Sequence, residues 1–355
     1  MKKSVINYLT KFAMFALAVL LVIALFASAR LPAQTNSTFQ TEEIASIYGS
    51  ATEEARIHKE FLKNMASDEV KVGAYLSNVK KLDITASTWT ADFYVWFVWR
   101  NDDINPGYEI VNGNHDFKDQ PIIDTIEIEG VNYHWYTYKI SATLSGILNF
   151  KNYPLDVQTL TLVLEDRALN KSKMKYVILE KECMIDPAVN ISGWELKDKF
   201  VRIEDHHYST SFGYFGNDVY SKFIFGIKIA RPRFSSILKI MLPLSIILSL
   251  ALLAFALSPD KFSQRISLGI STVFTSVAFH ISLTSSLPQI SYLTLVDRIM
   301  ISAYFILFTS LISTIYITKY YVDKKETELA AAVNGRLATL VISGAVLLIG
   351  AQFFF

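Results

Sequence analysis

Hydrophobic residues are patterned differently in the two halves of this chain. From Phe234 onward they form four long apolar runs, at about 234–257, 262–285, 293–320 and 337–355. Each is near or above the ~20 residues a helix needs to cross a bilayer. Residues 258–261 (SPDK) make a very short turn between the first two runs, and 321–335 (YVDKKETELAAAVNG) reads as a short polar loop. Between about 70 and 231 the period falls to two. Val-, Tyr-, Trp- and Phe-rich segments at 71–84, 86–100, 122–128, 133–144, 159–164, 174–180, 194–204 and 219–230 read as strands. Turn signals such as Asn105-Pro106-Gly107 and Glu129-Gly130 separate them. This many strands without interleaved long helices predicts an all-β, immunoglobulin-like sandwich followed by an all-α four-helix transmembrane domain.

The N-terminal segments differ from both halves. Lys2, Lys3 and Lys11 precede a continuous apolar run over 12–27, and Ala27-Ser28-Ala29 supplies a small-residue cleavage site. Residues 1–29 therefore read as a signal peptide, with a retained N-terminal membrane helix as the rival. Residues 30–69 form an N-terminal extension. Within it, Ile44, Ile47, Tyr48, Ala51, Ala55, Phe61, Leu62 and Met65 recur at helical spacing over 40–66. Residues 70–231 are then an exported (periplasmic or extracellular) β-domain, and 232–355 the membrane domain. Lys319, Lys324, Lys325 and Arg336 cluster around the 321–335 loop, which the positive-inside rule assigns to the cytoplasm.

Composition removes several function classes. A net charge of +1 gives no footprint for nucleic acid. The single cysteine, Cys183, excludes an intrachain disulfide and a Cys-rich zinc site. No nucleophile elbow, metal-ligand spacing or phosphate loop is present, so neither an enzyme nor a cofactor is expected.

The chemistry concentrates in 262–288, a helix-length stretch with no acidic residue and many hydroxyls. At ~100° per residue, Ser263, Ser267, Ser271, Phe274, Ala278, Ile281 and Ser285 share a stripe about 80° wide. A small hydroxyl stripe through a membrane segment points to a surface wetted by ions and water, hence to conduction. His280 lies away from that stripe and is expected to hydrogen-bond a neighbouring helix. A non-conducting, membrane-anchored sensor would explain the sandwich and the crossings, but not the ordered stripe.

Phe150-Lys-Asn-Tyr153-Pro154-Leu155-Asp156-Val-Gln158 joins two predicted strands ahead of the membrane domain. It resembles the signature loop of the pentameric ligand-gated ion channels, the Cys-loop receptor superfamily. Gly146 and Leu160 stand where animal members carry the bracketing cysteines, so the resemblance is to the prokaryotic branch. Gly193-Trp194, Arg231, Pro243, Phe262-Ser263-Gln264-Arg265, Leu287-Pro288 and Tyr292–Asp297 fit the same pattern. One departure is Trp99-Arg100-Asn101, where the family commonly has Trp-x-Asp.

The resemblance implies a homopentamer in a bacterial inner membrane, gated by a small molecule, possibly an amine, or by protons, and passing monovalent ions. Ser263, Gln264, Ser267, Ser271, Phe274, Ala278, Ile281 and Ser285 would line its pore, with Gln264 and Arg265 at the cytoplasmic mouth and Phe274 as a gate that closes by dewetting. Gln264 replaces the Glu usual in cation channels, yet 265–273 looks close to anion-channel sequence. A cation-conducting or weakly selective pore is expected from Asp260 near the mouth, and an anion-selective one stays open as the alternative. Asp83, Tyr153, Pro154, Asp156, Arg231 and Pro288 would couple the sandwich to the helices. Tyr94 or Trp96 of one subunit and Tyr208, Phe212 and Tyr214 of the next would form an aromatic agonist cage. His206 and His207, in the same hairpin, permit proton or metal modulation, although neighbours on a strand face opposite ways.

Overall fold

The computed structural model describes residue 62 and residues 65–118, 120–210 and 219–352. The signal peptide expected over 1–29 and nearly all of the N-terminal helix expected over 40–66 lie outside them. The described chain forms two compact units. One comprises the strands up to Leu148 together with Val157–Ala230, the other Asn149–Asp156 together with Arg231 onward.

The first unit is a β-sandwich. Its larger sheet runs β4 (Gly113–Lys118), β6 (Val131–Ser145), β2 (Thr88–Trp99), β1 (Glu69–Asp83), β8 (Lys175–Ile178), with β5 (Ile122–Ile128) on β6 and β9 (Met184–Ile185) on β1. The smaller runs β10 (Glu195–His207), β11 (Val219–Ala230), β7 (Val157–Glu165), β3 (Glu109–Ile110). Strict alternation builds the core between them. Trp89, Ala91, Phe93, Val95 and Phe97 of β2 are buried, as are Leu160, Leu162 and Leu164 of β7 and Phe223, Phe225 and Ile227 of β11. Phe93 meets Phe225 edge-to-face, with ring centroids 6.4 Å apart, and so ties one sheet to the other. Such a pair contributes about 0.5–1.5 kcal/mol beyond its buried area.

The outer face of β2 depends on a glycine. The Trp96 indole lies across β1 at Gly73, where a Cβ would sit inside the ring. Gly73→Ala is expected to displace Trp96 and cost about 1–3 kcal/mol, read as a lowered thermal midpoint of the purified protein.

The second unit holds four helices: α1 (Arg233–Leu253), α2 (Phe262–Thr284), α3 (Leu295–Ile317) and α4 (Thr327–Ala351). All four, counting the short turns that extend α1 and α3, are long and apolar enough to cross a membrane. Ile240, Leu244, Ile247 and Leu248 of α1 pack with Ile299, Ala303 and Ile306 of α3 and with Ala338, Val341 and Ala345 of α4 in one core. A capping box starts α3. Thr294 Oγ1 accepts the Asp297 amide at 3.1 Å, and Asp297 Oδ2 accepts the Thr294 amide at 2.8 Å.

Helix α4 begins at Thr327 rather than near 337. The segment read as a polar loop is Glu-Leu-Ala-Ala-Ala, strong helix formers, with Glu328 placed favourably in the first turn. The reversal before it is confined to a wide turn at Thr318–Val322 and to Lys325, held at φ 65°.

Candidate functional site

Helix α2 has the least apolar membrane-length stretch of the four, and that stretch is also the least covered: 11% of it is buried within the chain, against 50% for α1 and α3. A helix that is both polar and uncovered needs a polar environment beyond its own chain. All eight residues expected to line a pore are exposed, the seven of the stripe and Gln264 beside it: Ser263, Gln264, Ser267, Ser271, Phe274, Ala278, Ile281 and Ser285. Phe274 and Ile281 stand out at 73% and 64% exposure. The opposite flank, Arg265, Gly269, Thr272 and Ser276, is buried. At Gly269 a Cβ would collide with Leu311 of α3, so the glycine sets the close approach of the two helices.

Hydrogen bonding gives the stripe a polarity. Ser271 Oγ donates to the Ser267 carbonyl at 2.8 Å, and Thr275 Oγ1 donates to the Ser271 carbonyl at 2.8 Å. Their hydroxyl protons are committed to the helix, so the oxygen lone pairs remain to meet solvent or ions. Ser263, Gln264, Ser267, Leu268 and Ser271 line an open hollow at the N-terminal end of this face.

Arg265 lies at that end but is turned away from the exposed face. It is 0% exposed. Its Nη2 donates to Asn334 Oδ1 of α4 at 2.6 Å, and its guanidinium lies 5.7 Å from the Phe255 ring centroid. Asn334 Nδ2 in turn donates to the Phe255 carbonyl at 2.8 Å. The inward turn of Arg265 has no local sequence signal, because the acceptor is a lone Asn far along the chain. His280 joins α3, as expected for a residue off the stripe: Nδ1 is 2.9 Å from Tyr304 Oη and Nε2 2.9 Å from Asp297 Oδ1.

Residues 149–156 cluster with the helices, although they are flanked by sandwich strands on both sides. The Arg231 Nε donates to Asp156 Oδ1 at 2.9 Å, and the Asp156 side chain is only 1% exposed. The same guanidinium lies 5.1 Å from the Tyr153 ring centroid. Lys151 O accepts the Leu295 amide at 2.8 Å, the first residue of α3. The Phe150 amide donates to Tyr292 Oη at 2.9 Å, and Tyr153 Oη reaches the Leu283 carbonyl of α2 at 3.5 Å. The loop therefore grips both ends of the α2–α3 linker, in which Pro288 sits half-buried. Asp83 belongs to the other unit. Its carboxylate takes Lys81 Nζ at 2.8 Å and the Ala86 amide at 2.9 Å.

In the sandwich, Tyr208 and His206 converge on a residue that sequence reading overlooked. Glu165, the last residue of β7, is 1% exposed. Its Oε1 accepts Tyr208 Oη at 2.7 Å and its Oε2 lies 2.6 Å from His206 Nδ1. Burial, with the bond to the Glu165 carboxylate second, raises the Tyr208 phenol above its ordinary range, so it stays a donor. The only signal of Glu165 in the sequence is a Glu-Asp pair before a turn, which looks like any solvated loop. His206 and His207 end strand β10 rather than lying in the hairpin loop, and His207 is exposed on the other face. Among the described residues no group of three or more His, Cys, Asp or Glu is placed to hold a metal. Tyr94 and Trp96 share the outer face of β2, with Lys139 Nζ 5.7 Å from the Tyr94 ring centroid. Phe212 and Tyr214 lie outside the described residues. Near the Trp99 departure, Asp102 Oδ1 pairs with His134 Nε2 at 2.6 Å.

Residues 240–341 match the family described as the neurotransmitter-gated ion-channel transmembrane region. The chain is 24% identical over 286 residues to the proton-gated ion channel of Gloeobacter violaceus, covering 75% of this chain and 76% of that protein. It is 27% identical over 183 residues to a gamma-aminobutyric acid receptor subunit beta of Caenorhabditis elegans, over 50% of this chain and 31% of the receptor subunit. A beta-like subunit of Drosophila melanogaster is 24% identical over 197 residues, 54% of this chain and 37% of its own. The chain thus spans about a third of each animal subunit. These relatives are ion channels rather than enzymes. The matched region, 240–341, is thus a neurotransmitter-gated ion-channel transmembrane region, and the chain, a β-sandwich followed by four helices long and apolar enough to cross a membrane, is similar to the pentameric ligand-gated ion channels, the Cys-loop receptor superfamily.

Proposed function

We propose that this chain assembles as a homopentamer in a bacterial inner membrane, with its sandwich in the periplasm and five α2 helices around a central pore. The exposed α2 face carries this reading. Elsewhere the uncovered helical surface is large and apolar, as at Phe305 and Phe308 of α3 and Leu340 and Leu347 of α4, which suits lipid. Among the four described helices, α2 alone leaves a stripe of serines uncovered.

In such a ring Ser267 and Ser271 present lone pairs to a partly dehydrated ion, and Phe274 closes the pore by dewetting. Permeation favours monovalent cations or is weakly selective. The Arg265 charge is withdrawn into the bundle, whereas Asp260 is exposed in the turn before α2. Gln264→Glu is expected to shift the reversal potential toward the cation equilibrium potential in asymmetric salt. An unmoved reversal potential would remove Gln264 from the mouth.

The agonist site lies at the outer face of the smaller sheet, where Tyr208, held in place by the buried Glu165 carboxylate, offers an aromatic face to an organic cation. Tyr94 and Trp96 of an adjacent subunit complete it. Binding is relayed through residues 149–156, with Asp83, Tyr153, Pro154, Asp156, Arg231 and Pro288 as coupling residues. Recording from the full chain in planar bilayers, while screening pH and primary amines, tests the proposal. Purified pentamers that stay closed under every stimulus would favour a sensor without conduction.

A further inference from the structure

We propose that Asn334 of α4 sets the ion selectivity of the pore by holding the Arg265 charge out of the ion path. This rests on the reading of α2 as the pore lining and adds a selectivity determinant on a different helix.

The buried face of α4 is Ala330, Asn334, Ala338, Val341 and Ala345. An amide at 2% exposure among such residues is costly unless its hydrogen bonds are made. Asn334 makes them to two other segments of the bundle. Its Nδ2 donates to the Phe255 carbonyl, in the short turn that extends α1, at 2.8 Å. Carbonyls at a helix end lack an intrahelical donor, so this bond meets an existing need. Its Oδ1 accepts Arg265 Nη2 of α2 at 2.6 Å. Chemistry forces this orientation of the amide, since a guanidinium only donates and a carbonyl only accepts. With Nδ2 committed to Phe255, Oδ1 is aimed at Arg265. The Phe255 ring, 5.7 Å from the guanidinium, adds a cation–π contact.

Another position for this charge is close by. Ser263 and Gln264 precede Arg265 at steps of ~100° around the helix, and both are exposed. An arginine side chain is long enough to carry its head to the flank of its own helix. Arg265 is 0% exposed within a single chain, so its withdrawal does not depend on a neighbouring subunit. Removing the Asn334 acceptor leaves the guanidinium short of a bond in a poorly solvated place. The open hollow lined by Ser263, Gln264 and Ser267 then becomes the better location. Five such charges at one mouth repel cations and draw anions. With Asn334 in place, the mouth keeps the uncharged Ser263 and Gln264, with Asp260 exposed in the turn before α2.

The experiment takes two readouts from the full-length protein in liposomes. The first is modification by phenylglyoxal, which reacts with guanidinium groups that reach water, read by peptide mass at Arg265. Wild type should be protected there, and Asn334→Leu modified. The second is the reversal potential in a sodium chloride gradient, under acid or propylammonium. Asn334→Leu should lower the cation-to-anion permeability ratio at least about tenfold. Adding Arg265→Gln to Asn334→Leu should restore the wild-type ratio, since no charge is left to swing out. Asn334→Ser, too short to span both partners, should move both readouts in the same direction as Asn334→Leu.

Arg265 modified in wild type, or protected in Asn334→Leu, would overturn the proposal. So would a shift that survives in the double variant. Failure of both Asn334→Leu and Asn334→Ser to form pentamers would reduce Asn334 to a packing residue and overturn it too. A variant that assembles but stays closed is judged by the first readout. An unmoved reversal potential in Asn334→Leu beside a moved one in Gln264→Glu overturns this inference alone. Both unmoved, or a wild type closed under every stimulus, would overturn the pore reading with it.

Discussion

Replacing Asp156 by alanine is expected to silence the channel, and so is Arg231→Ala. The Asp156 carboxylate is 1% exposed at its side chain, and Arg231 meets it at 2.9 Å while resting on Tyr153. Breaking such a pair by halves leaves an uncompensated charge in a poorly solvated place, at a cost of about 3–5 kcal/mol. That cost falls on the segment that also holds the α3 start through Lys151 O and the end of α2 through Tyr153 Oη. The measurement is peak current relative to surface-expressed protein. Loss of current with normal pentamer yield identifies a coupling defect. Loss of both in equal proportion reduces the pair to assembly. Arg231→Lys is expected to fall between, because an ammonium keeps the charge but loses the planar Nε contact and the stacking on Tyr153. The double alanine variant should be less impaired than the sum of the singles, since neither charge is then stranded.

The second large effect is expected at Phe274. Phe274→Ser replaces the most exposed apolar side chain of α2 with a hydroxyl that fits the Ser267–Ser271 stripe. If five phenyl rings dry the pore at that level, five serines wet it, and the channel should conduct without agonist. The readout is standing current, or ion leak from loaded liposomes, at a pH and ligand concentration where wild type is closed. Phe274→Leu, apolar and smaller, should remain closed at rest. A Phe274→Ser channel as quiet as wild type would move the gate elsewhere, with Ile281 the next apolar residue on the face.

Strand positions were legible because alternation on a half-buried sheet is a local signal. β2, β5, β6, β7 and β11 lie within a few residues of where period two puts them. The α2 face was legible for the same kind of reason, since helical geometry alone sorts Ser267, Ser271 and Phe274 from Gly269 and Thr272. What escaped was decided between distant segments. Glu165 is buried because His206 and Tyr208 fold over it from a strand some forty residues on. Arg265 turns inward because Asn334 waits on α4. The early start of α4 escaped for the opposite reason: its charged first turn hid a run of strong helix formers.

The clasp of residues 149–156 onto the helices sets a limit on how this channel can be dissected. The helical unit is not one continuous stretch of chain, because its loop is encoded ahead of β7 while Arg231 follows β11. A fragment beginning at Arg231 would reach the membrane without the Asp156 that its first arginine pairs with and without the Lys151 carbonyl that receives α3. A portable pore module, or a chimera joined at the last strand, must therefore import this octapeptide from the same parent as its helices. Hybrids that take the loop from the sandwich parent would inherit a mismatched clasp.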